Sequence, residues 1–263
     1  WIYFQLDERI AKTNAMNIKQ LKNLLIEFCP NVRYEHDLKK KNWFNIGGKS
    51  KIFYKADNLK ELVNFLKKLD NKEKIFILGA GSNTLDSDGL FDGVVIKLSK
   101  NFNNISLLGE DIIIAGSAVL DKSLSDFALN NSISGFEFLS CIPGTIGGGI
   151  RMNAGCFDKE FKDILLSVQA IDKSGNIITI PSKDIKFEYR ESDLSDDLIF
   201  LSASFKGVKS NKIKIKDKMN KLKIEKEQDI PHDLLNPGLS ARRATQGRRK
   251  RGECFAPLLK YLL

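Results

Sequence analysis

Two glycine-rich segments contain the residue types most suited to chemistry: LGAGSNTL at residues 78–85 and IPGTIGGG at residues 142–149. Glycine allows a positive φ and lets a ligand approach where a Cβ would collide, so consecutive N–H groups can point at phosphate oxygens. Small hydroxyl and amide side chains that suit a phosphate or a ribose accompany the glycines, namely Ser82, Asn83, Thr84 and Thr145. The pattern predicts two halves of one diphosphate-binding site; the alternative is a pair of ordinary glycine turns.

The two segments do not fit the common nucleotide-binding motifs. A Rossmann fingerprint needs a third glycine or alanine that opens a helix, whereas Thr84 occupies this position and Asp86-Ser87-Asp88-Gly89 follows it. A Walker A loop ends in Gly-Lys-Ser or Gly-Lys-Thr, which neither segment contains. The sequence therefore disfavours a Rossmann dinucleotide fold and an ATPase or GTPase.

Hydrophobic periodicity predicts the elements that position the two segments. Apolar residues recur at helical spacing over residues 57–70, and residues 74–78 form a short buried strand that runs directly into the first segment. A helix at residues 121–130 precedes the second segment, a hairpin follows at residues 166–180, and residues 211–228 form a lysine-rich helix. This alternation predicts a mixed α/β or α+β fold, and the hairpin argues against a purely parallel sheet.

Composition limits the class of protein. With 263 residues, of which 42% are hydrophobic and 29% charged, the chain can bury a core of one or two domains. No apolar run approaches the roughly 18 to 20 residues that span a bilayer, and the start lacks a secretory signal, so we expect a cytoplasmic protein with no membrane partner. Four dispersed cysteines and two histidines predict free thiols and no metal site.

The positive charge of the chain is concentrated at its C-terminus. The net charge is +9, but residues 240–263 hold five arginines and two lysines against one glutamate, a net +6 that leaves +3 for the preceding 239 residues. Because the body is nearly balanced, we do not expect nucleic acid as a partner. The alternative is that the arginine cluster contacts nucleic acid or anionic lipid. The abrupt change in residue usage predicts that residues 240–263 are foreign to the fold.

Five motifs follow one another along the chain: NWFNIGG at residues 42–48, LGAGSNTL at 78–85, GFEFLSCIPGTIGG at 135–148, MNAGCF at 152–157 and FEYRES at 187–192. Through them, residues 43–228 resemble the flavoenzyme family of UDP-N-acetylenolpyruvoylglucosamine reductase. The resemblance implies an α+β fold, the two-subdomain FAD-binding fold of the vanillyl-alcohol-oxidase and CO-dehydrogenase flavoprotein type. It also implies FAD as cofactor, NADPH as hydride donor and a UDP-sugar substrate of peptidoglycan precursor synthesis.

The resemblance also assigns site residues. It places the FAD pyrophosphate between the two glycine segments, at Gly79, Ala80, Gly81, Ser82, Asn83, Thr84, Pro143, Gly144, Thr145, Gly147 and Gly148, with Asn153, Ala154 and Gly155 on the flavin side. Arg190 is expected to be the catalytic residue that binds the substrate carboxylate or enolate, because a guanidinium holds two oxygens at once and stays charged. Tyr189 is assigned to the same substrate site. The alternatives are core packing for Tyr189 and a surface arginine at a strand end for Arg190.

The predicted organisation has four parts: an N-terminal extension and helix at residues 1–40, the FAD-binding domain at 41–207, the start of a substrate-binding domain at 208–239 and an aberrant basic tail at 240–263. The family's serine proton donor and C-terminal glutamate are not found, because the contexts of Ser240 and Glu253 do not reproduce their motifs. We therefore expect a monomeric reductase that forms UDP-N-acetylmuramate, impaired by a truncated or aberrant C-terminal substrate domain. The alternative is a non-catalytic FAD-binding remnant.

Overall fold

The computed structural model describes residues 23, 26–28, 30–69, 72–84 and 88–229. The predicted tail at residues 240–263, with Ser240 and Glu253, lies outside these residues, as does most of the predicted N-terminal extension. The described part consists mainly of two sheets with helices packed on them.

The first sheet is built from four strands: β1 (Val32–Asp37), β2 (Lys49–Ala56), β3 (Ile75–Ile77) and β4 (Leu90–Leu98). Their spatial order is β1-β2-β4-β3, in which β2, β4 and β3 are parallel and β1 is antiparallel to β2. Helix α1 (Leu59–Lys68) packs on this sheet, because Leu62, Phe65 and Leu66 form an apolar stripe that is buried against strand residues such as Ile52.

Further strands follow along the described chain: β5 (Ile105–Leu108), β6 (Ile112–Gly116), β7 (Ile133–Ser134), β8 (Gly155–Cys156), β9 (Lys159–Glu160), β10 (Leu165–Ile171), β11 (Ile177–Pro181), β12 (Phe187–Glu188), β13 (Glu191–Ser192), β14 (Ile199–Lys206) and β15 (Val208–Lys209). The second sheet is antiparallel throughout, with the order β11-β10-β14-β6-β5. The short strands pair as β7 with β15, β8 with β9 and β12 with β13.

Three more α-helices follow along the chain: α2 (Asp121–Asn130), α3 (Ile146–Arg151) and α4 (Lys212–Asp229). Helices α2 and α3 share a core with the second sheet, in which Leu124 and Ile150 are buried together with Phe205. The fully buried ring of Phe161 belongs to the same core and stands edge-on to Phe205, with 6.0 Å between ring centroids.

The two sheets are joined through the core around α1. Residues Ile171, Ile199 and Leu201 of the second sheet belong to the same buried cluster as Phe65 of α1. This packing brings the C-terminal end of β3 close to the segment that leads into α3, which is where the two glycine-rich segments lie.

The predicted elements agree closely with the observed ones. The helix predicted at residues 121–130 has these bounds as α2, and the helices predicted at 57–70 and 211–228 are observed at 59–68 and 212–229. The structure adds β1 to the first sheet, N-terminal to the predicted boundary at residue 41. Within the described residues, no helix combines the length and the apolar character needed to cross a bilayer.

Candidate functional site

The first glycine segment begins where β3 ends. The Leu78 amide still donates to Ile96 O at 2.9 Å, but within the described chain the amides of residues 79–83 donate no backbone hydrogen bond. Gly81 has a φ of +70°, and a Cβ on it would lie 2.3 Å from Lys41 O, so glycine is required here. The Trp43 amide donates to Gly81 O at 2.9 Å. The segment is therefore anchored through the Gly81 carbonyl and the side chains of Ser82 and Asn83, whereas the amides of residues 79–83 donate to no backbone group of the described chain.

The second glycine segment is tied to the connection between β6 and α2. The Ile146 amide donates to Val119 O at 2.9 Å, and the Gly147 amide donates to Ser117 O at 3.0 Å. Because these two amides already donate within the protein, fewer amides of this segment can donate to a phosphate than the sequence predicts. In the part of the chain that the structure describes, the amides of Gly144, Thr145 and Gly148 donate no backbone hydrogen bond.

The two segments contact each other, and we call this contact region the glycine junction (residues 79–84 and 143–148). The Ser82 hydroxyl donates to Pro143 O at 2.7 Å, which directly links the two halves predicted from the sequence. A Cβ on Gly79 would lie 2.6 Å from Thr145 Oγ1, so the absence of a side chain at Gly79 permits the close approach. The structure thus brings together the residues of both segments.

The chemistry of the glycine junction fits a diphosphate. Open amides on both segments are the groups that bind phosphate oxygens in backbone anion sites. The hydroxyls of Ser82 and Thr145 lie at the contact, and a side chain at Gly79 or Gly144 would meet Thr145 or Asp121, respectively. The missing side chains at Gly79 and Gly144 therefore let the two segments and the start of α2 pack closely, which places the open amides of both segments near each other.

Asn153 links the glycine junction to the next part of the site. Asn83 Nδ2 donates to Met152 Sδ at 3.1 Å, and the following residue, Asn153, is fully buried with a φ of +40°. Its Nδ2 donates to Glu160 Oε2 at 2.9 Å and to Glu188 O at 3.1 Å, and its Oδ1 accepts from the Lys162 amide at 3.1 Å. Because its side chain is fully used within the protein, Asn153 positions the backbone around it.

The predicted substrate residues form the two-residue turn between β12 and β13, which we call the arginine turn (Tyr189–Arg190). Arg190 has a φ of +62°, a conformation that costs a non-glycine residue about 1 kcal/mol or more. Its Nη2 donates to Gly155 O at 3.1 Å, whereas its buried Nε has no hydrogen-bond partner in the described structure. An arginine has five N–H donors, so most of this guanidinium remains available.

The structure contradicts the core-packing alternative for Tyr189. Its side chain is 71% exposed, which excludes core packing. The Arg190 guanidinium lies 5.6 Å from the centre of the Tyr189 ring, within the range of a cation–π contact. The two predicted substrate residues are therefore adjacent and face an accessible surface beside Gly155.

Sequence reasoning missed two features of this site. Cys141 and Cys156, which precede the second glycine segment and follow Gly155, are buried and in contact, and a hydrogen bond from Cys156 is the main reason that the pKa of Cys141 is lowered to about 6. Asp121, at the start of α2, is buried against Gly144. Both arrangements depend on contacts between distant segments, and no motif in the chain indicates them.

Residues 50–181 match the FAD binding domain family. The matched residues contain both halves of the glycine junction. The region whose geometry suits a diphosphate therefore lies within a domain that binds a flavin cofactor. The arginine turn lies beyond them. FAD binding by this domain is therefore supported independently of the geometry.

Two relatives that share one name align with most of the chain. It is 60% identical over 223 residues to the UDP-N-acetylenolpyruvoylglucosamine reductase of Pelagibacter ubique, across 85% of this chain and 74% of that protein. The corresponding protein of Rickettsia bellii is 45% identical over 201 residues, across 76% of this chain. The chain spans 66% of the length of the Rickettsia bellii relative.

Solved structures show the same fold. The crystal structure of UDP-N-acetylenolpyruvylglucosamine reductase from Thermus caldophilus matches with a TM-score of 0.65 and 26% identity, over 76% of this chain and 71% of that one. p-Cresol methylhydroxylase matches with a TM-score of 0.53 and 13% identity, over 74% of this chain and 44% of that one, which is a likeness of fold alone. The predicted FAD-binding fold is confirmed, and the chain belongs to the UDP-N-acetylenolpyruvoylglucosamine reductase family.

Proposed function

We propose that this protein reduces UDP-N-acetylenolpyruvoylglucosamine to UDP-N-acetylmuramate, with FAD as its bound cofactor and NADPH as its hydride donor. The observation that carries the proposal is the contact of Ser82 with Pro143, which joins two sets of open amides into one surface suited to a diphosphate. Membership of the reductase family supports the choice of substrate.

The glycine junction holds the diphosphate of FAD in this proposal. Amides of residues 79–83 bind it from one side, and those of Gly144, Thr145 and Gly148 bind it from the other. Ser82, Asn83, Thr84 and Thr145 add hydroxyl and amide groups at the same surface. Ala154 and Gly155 lie on the path from the glycine junction to the arginine turn, which is where we place the flavin.

The arginine turn acts on the substrate. When bound, FAD supplies the chemistry by which a hydride passes from NADPH to the enolpyruvyl double bond. Addition of a hydride to one carbon of this bond places negative charge on the other carbon, beside the substrate carboxylate, until that carbon takes up a proton. Stabilisation of the carboxylate therefore lowers the barrier. The Arg190 guanidinium can bind both carboxylate oxygens, and the exposed Tyr189 ring lines the same surface.

One chain supplies the whole proposed arrangement. The glycine junction and the arginine turn both come from residues 79–190 of a single chain, so the proposal requires neither a second copy nor nucleic acid, and we propose a monomer. Because nucleotide sugars and NADPH are metabolites of the cytoplasm, we propose that the protein acts there.

The test is the visible spectrum of the purified chain, followed by NADPH oxidation with and without the enolpyruvyl substrate. We expect flavin absorption and NADPH oxidation that depends on substrate. A chain that neither retains FAD nor takes it up on titration would overturn the flavoprotein assignment. Flavin without substrate-dependent oxidation would overturn the reductase activity and leave a flavin-binding protein.

A further inference from the structure

Asp121 is a buried carboxyl group with no partner. It is the first residue of α2, its side chain is 0% exposed, and neither of its carboxyl oxygens has a hydrogen-bond partner in the described structure. Nearly all buried polar groups in proteins are hydrogen-bonded, so an exception points to a ligand or to strain. The N-cap of α2 is Leu120, so Asp121 does not occupy the position from which an aspartate caps its helix, and its carboxyl oxygens accept no bond from the first amides of α2.

The carboxyl group lies at the glycine junction. Asp121 Oδ2 is 2.7 Å from the position that a Cβ on Gly144 would take, and Ser82 Oγ is 4.0 Å from that same position. The Asp121 amide donates to Gly144 O at 3.2 Å, which fixes the start of α2 against the second glycine segment. The unpartnered Oδ2 therefore lies beside Gly144, in the part of the glycine junction where Ser82 meets the second segment.

No charged side chain compensates this carboxyl group within the described residues. The elements packed around it carry titratable groups at Lys122 and Asp126 of its own helix, at Glu137 and Cys141 of the segment before the second glycine segment, and at the lysines of α4. None of them contributes to the shift: burial alone raises the pKa of Asp121 well above its usual value. A carboxyl group in such a place keeps its proton and becomes a hydrogen-bond donor.

We propose that Asp121 is a binding residue for the diphosphate of FAD and donates its carboxyl proton to a phosphate oxygen at the glycine junction. The proposal rests on the proposed function, because it requires FAD at that place. It explains why a carboxyl group is retained where burial makes it unfavourable: the neutral acid donates to the anion without repelling it. An ionised Asp121 would repel the same phosphate.

The proposal predicts a specific pH dependence of FAD binding. Where Asp121 is ionised in the free protein, binding requires uptake of a proton, so the Kd for FAD rises with pH by up to about tenfold per unit. An asparagine in its place would present an amide donor that does not titrate. Asp121→Asn therefore keeps the affinity of the low-pH form and removes its pH dependence, whereas Asp121→Ala binds FAD about tenfold more weakly than the low-pH form does, at every pH.

The experiment is a fluorescence titration of the full apoprotein with FAD from about pH 6 to about pH 9.5. This range is chosen to follow the ionisation of a carboxyl group whose pKa is raised by burial. It compares the unmodified protein with D121N, D121A and the control Asp126→Asn, which removes a carboxylate from the same helix away from the glycine junction. We expect the unmodified protein and D126N to lose affinity as the pH rises, D121N to stay level and D121A to be weak throughout. If a variant does not fold, the pH profile of the unmodified protein decides alone.

Two results would overturn the inference while leaving the proposed function intact. A Kd that is independent of pH in the unmodified protein would show that the Asp121 proton is not involved. An affinity that rises with pH would show a carboxylate that accepts bonds from ribityl or ribose hydroxyls instead. Failure of the unmodified protein to bind FAD at any pH would overturn the proposed function itself, and this inference with it.

Discussion

The glycine junction and the arginine turn are built on opposite principles. At the glycine junction, the absence of side chains lets two backbone segments approach, and Ser82 bonds them together. At the arginine turn, a non-glycine residue adopts a left-handed conformation beside an exposed aromatic ring. The backbone of the first region is held in place by contacts within the protein. The second region presents hydrogen-bond donors that the described part of the protein leaves unused.

This difference suggests a division of work. A preformed backbone surface suits a ligand that stays bound, because little has to be ordered when it binds. A partly buried guanidinium with free donors suits a group whose charge develops during the reaction. The two regions should therefore respond differently to mutation: changes at the glycine junction alter cofactor affinity, and changes at the arginine turn alter turnover. Asn153 bonds to the Glu188 carbonyl next to the arginine turn and follows Met152, which accepts from Asn83 of the glycine junction, so it should affect both.

The largest effect is expected at Arg190. Arg190→Ala removes the group proposed to bind the substrate carboxylate, so we expect kcat/KM to fall by about 10²- to 10³-fold, or about 3–4 kcal/mol. The Kd for FAD should stay unchanged, since no contact that the described structure gives Arg190 belongs to the glycine junction. Steady-state NADPH oxidation and FAD titration of the same preparations measure both quantities.

Arg190→Lys is the matched variant for this experiment. Lysine keeps the charge but lacks the planar pair of donors, so it should recover only a small part of the lost activity. Activity of R190A equal to that of the unmodified protein would remove Arg190 from the substrate site. A parallel loss of FAD affinity would show that the two regions are not separable.

The next largest effect is expected at Asn153, which lies in the chain between the two regions and bonds to the Glu188 carbonyl. Asn153→Ala leaves the Glu188 carbonyl and the Lys162 amide without their partner and retains a Cβ at a φ of +40°. We expect the free energy of unfolding to fall by about 2–3 kcal/mol, together with FAD affinity and turnover. Urea denaturation measures the change, and Asn153→Gly separates its causes because it removes the same hydrogen bonds and relieves the positive φ.

Much of this site could be predicted from local sequence. The helix at residues 121–130 follows from the spacing of Leu124, Phe127 and Ala128, and the first glycine segment follows from the apolar strand that precedes it. Glycine and small polar residues in both segments indicated a shared ligand, because few other roles require both residue types together. Local patterns were sufficient wherever one segment determines its own structure.

The remaining features depend on which segments meet in the fold. The Gly147 amide is engaged because the β6–α2 connection places Ser117 O beside it, which no local pattern reveals. Asn153 resembles a ligand-binding residue in sequence, but Glu160 and Glu188 use its side chain. The proximity of Cys141 to Cys156 and of Asp121 to Gly144 likewise arises only from tertiary packing.

A smaller effect is expected from Gly79→Ala, which tests whether the glycine junction binds the diphosphate or is only a pair of turns. Gly79→Ala places a Cβ 2.6 Å from Thr145 Oγ1, so the two segments must separate or Thr145 must rotate. We expect the Kd for FAD to rise about tenfold, or about 1.4 kcal/mol, with kcat unchanged at saturating FAD. Gly89→Ala is the control, because no atom of the described structure lies within 4 Å of its added Cβ. Equal affinities of the two variants would place the diphosphate elsewhere.

The smallest effect concerns the thiols that flank the glycine junction and Gly155. The hydrogen bond from Cys156 is the largest cause that lowers the pKa of Cys141 to about 6, so Cys156→Ala should move this pKa toward its usual value. The rate at which iodoacetamide alkylates Cys141, followed by mass spectrometry of its peptide, should level off above about pH 7 in the unmodified protein and keep rising to about pH 9 in C156A.

The same thiol predicts the direction in which pH changes stability. Because the pKa of Cys141 is about 6 in the folded protein and about 8.5 in an unfolded chain, the unfolded state binds more protons between these values. The contribution of Cys141 to stability is therefore complete above about pH 8.5 and is lost as the pH falls toward about 6. C156A should flatten this dependence in urea denaturation, and an unchanged slope would show that Cys156 does not hold the Cys141 thiolate.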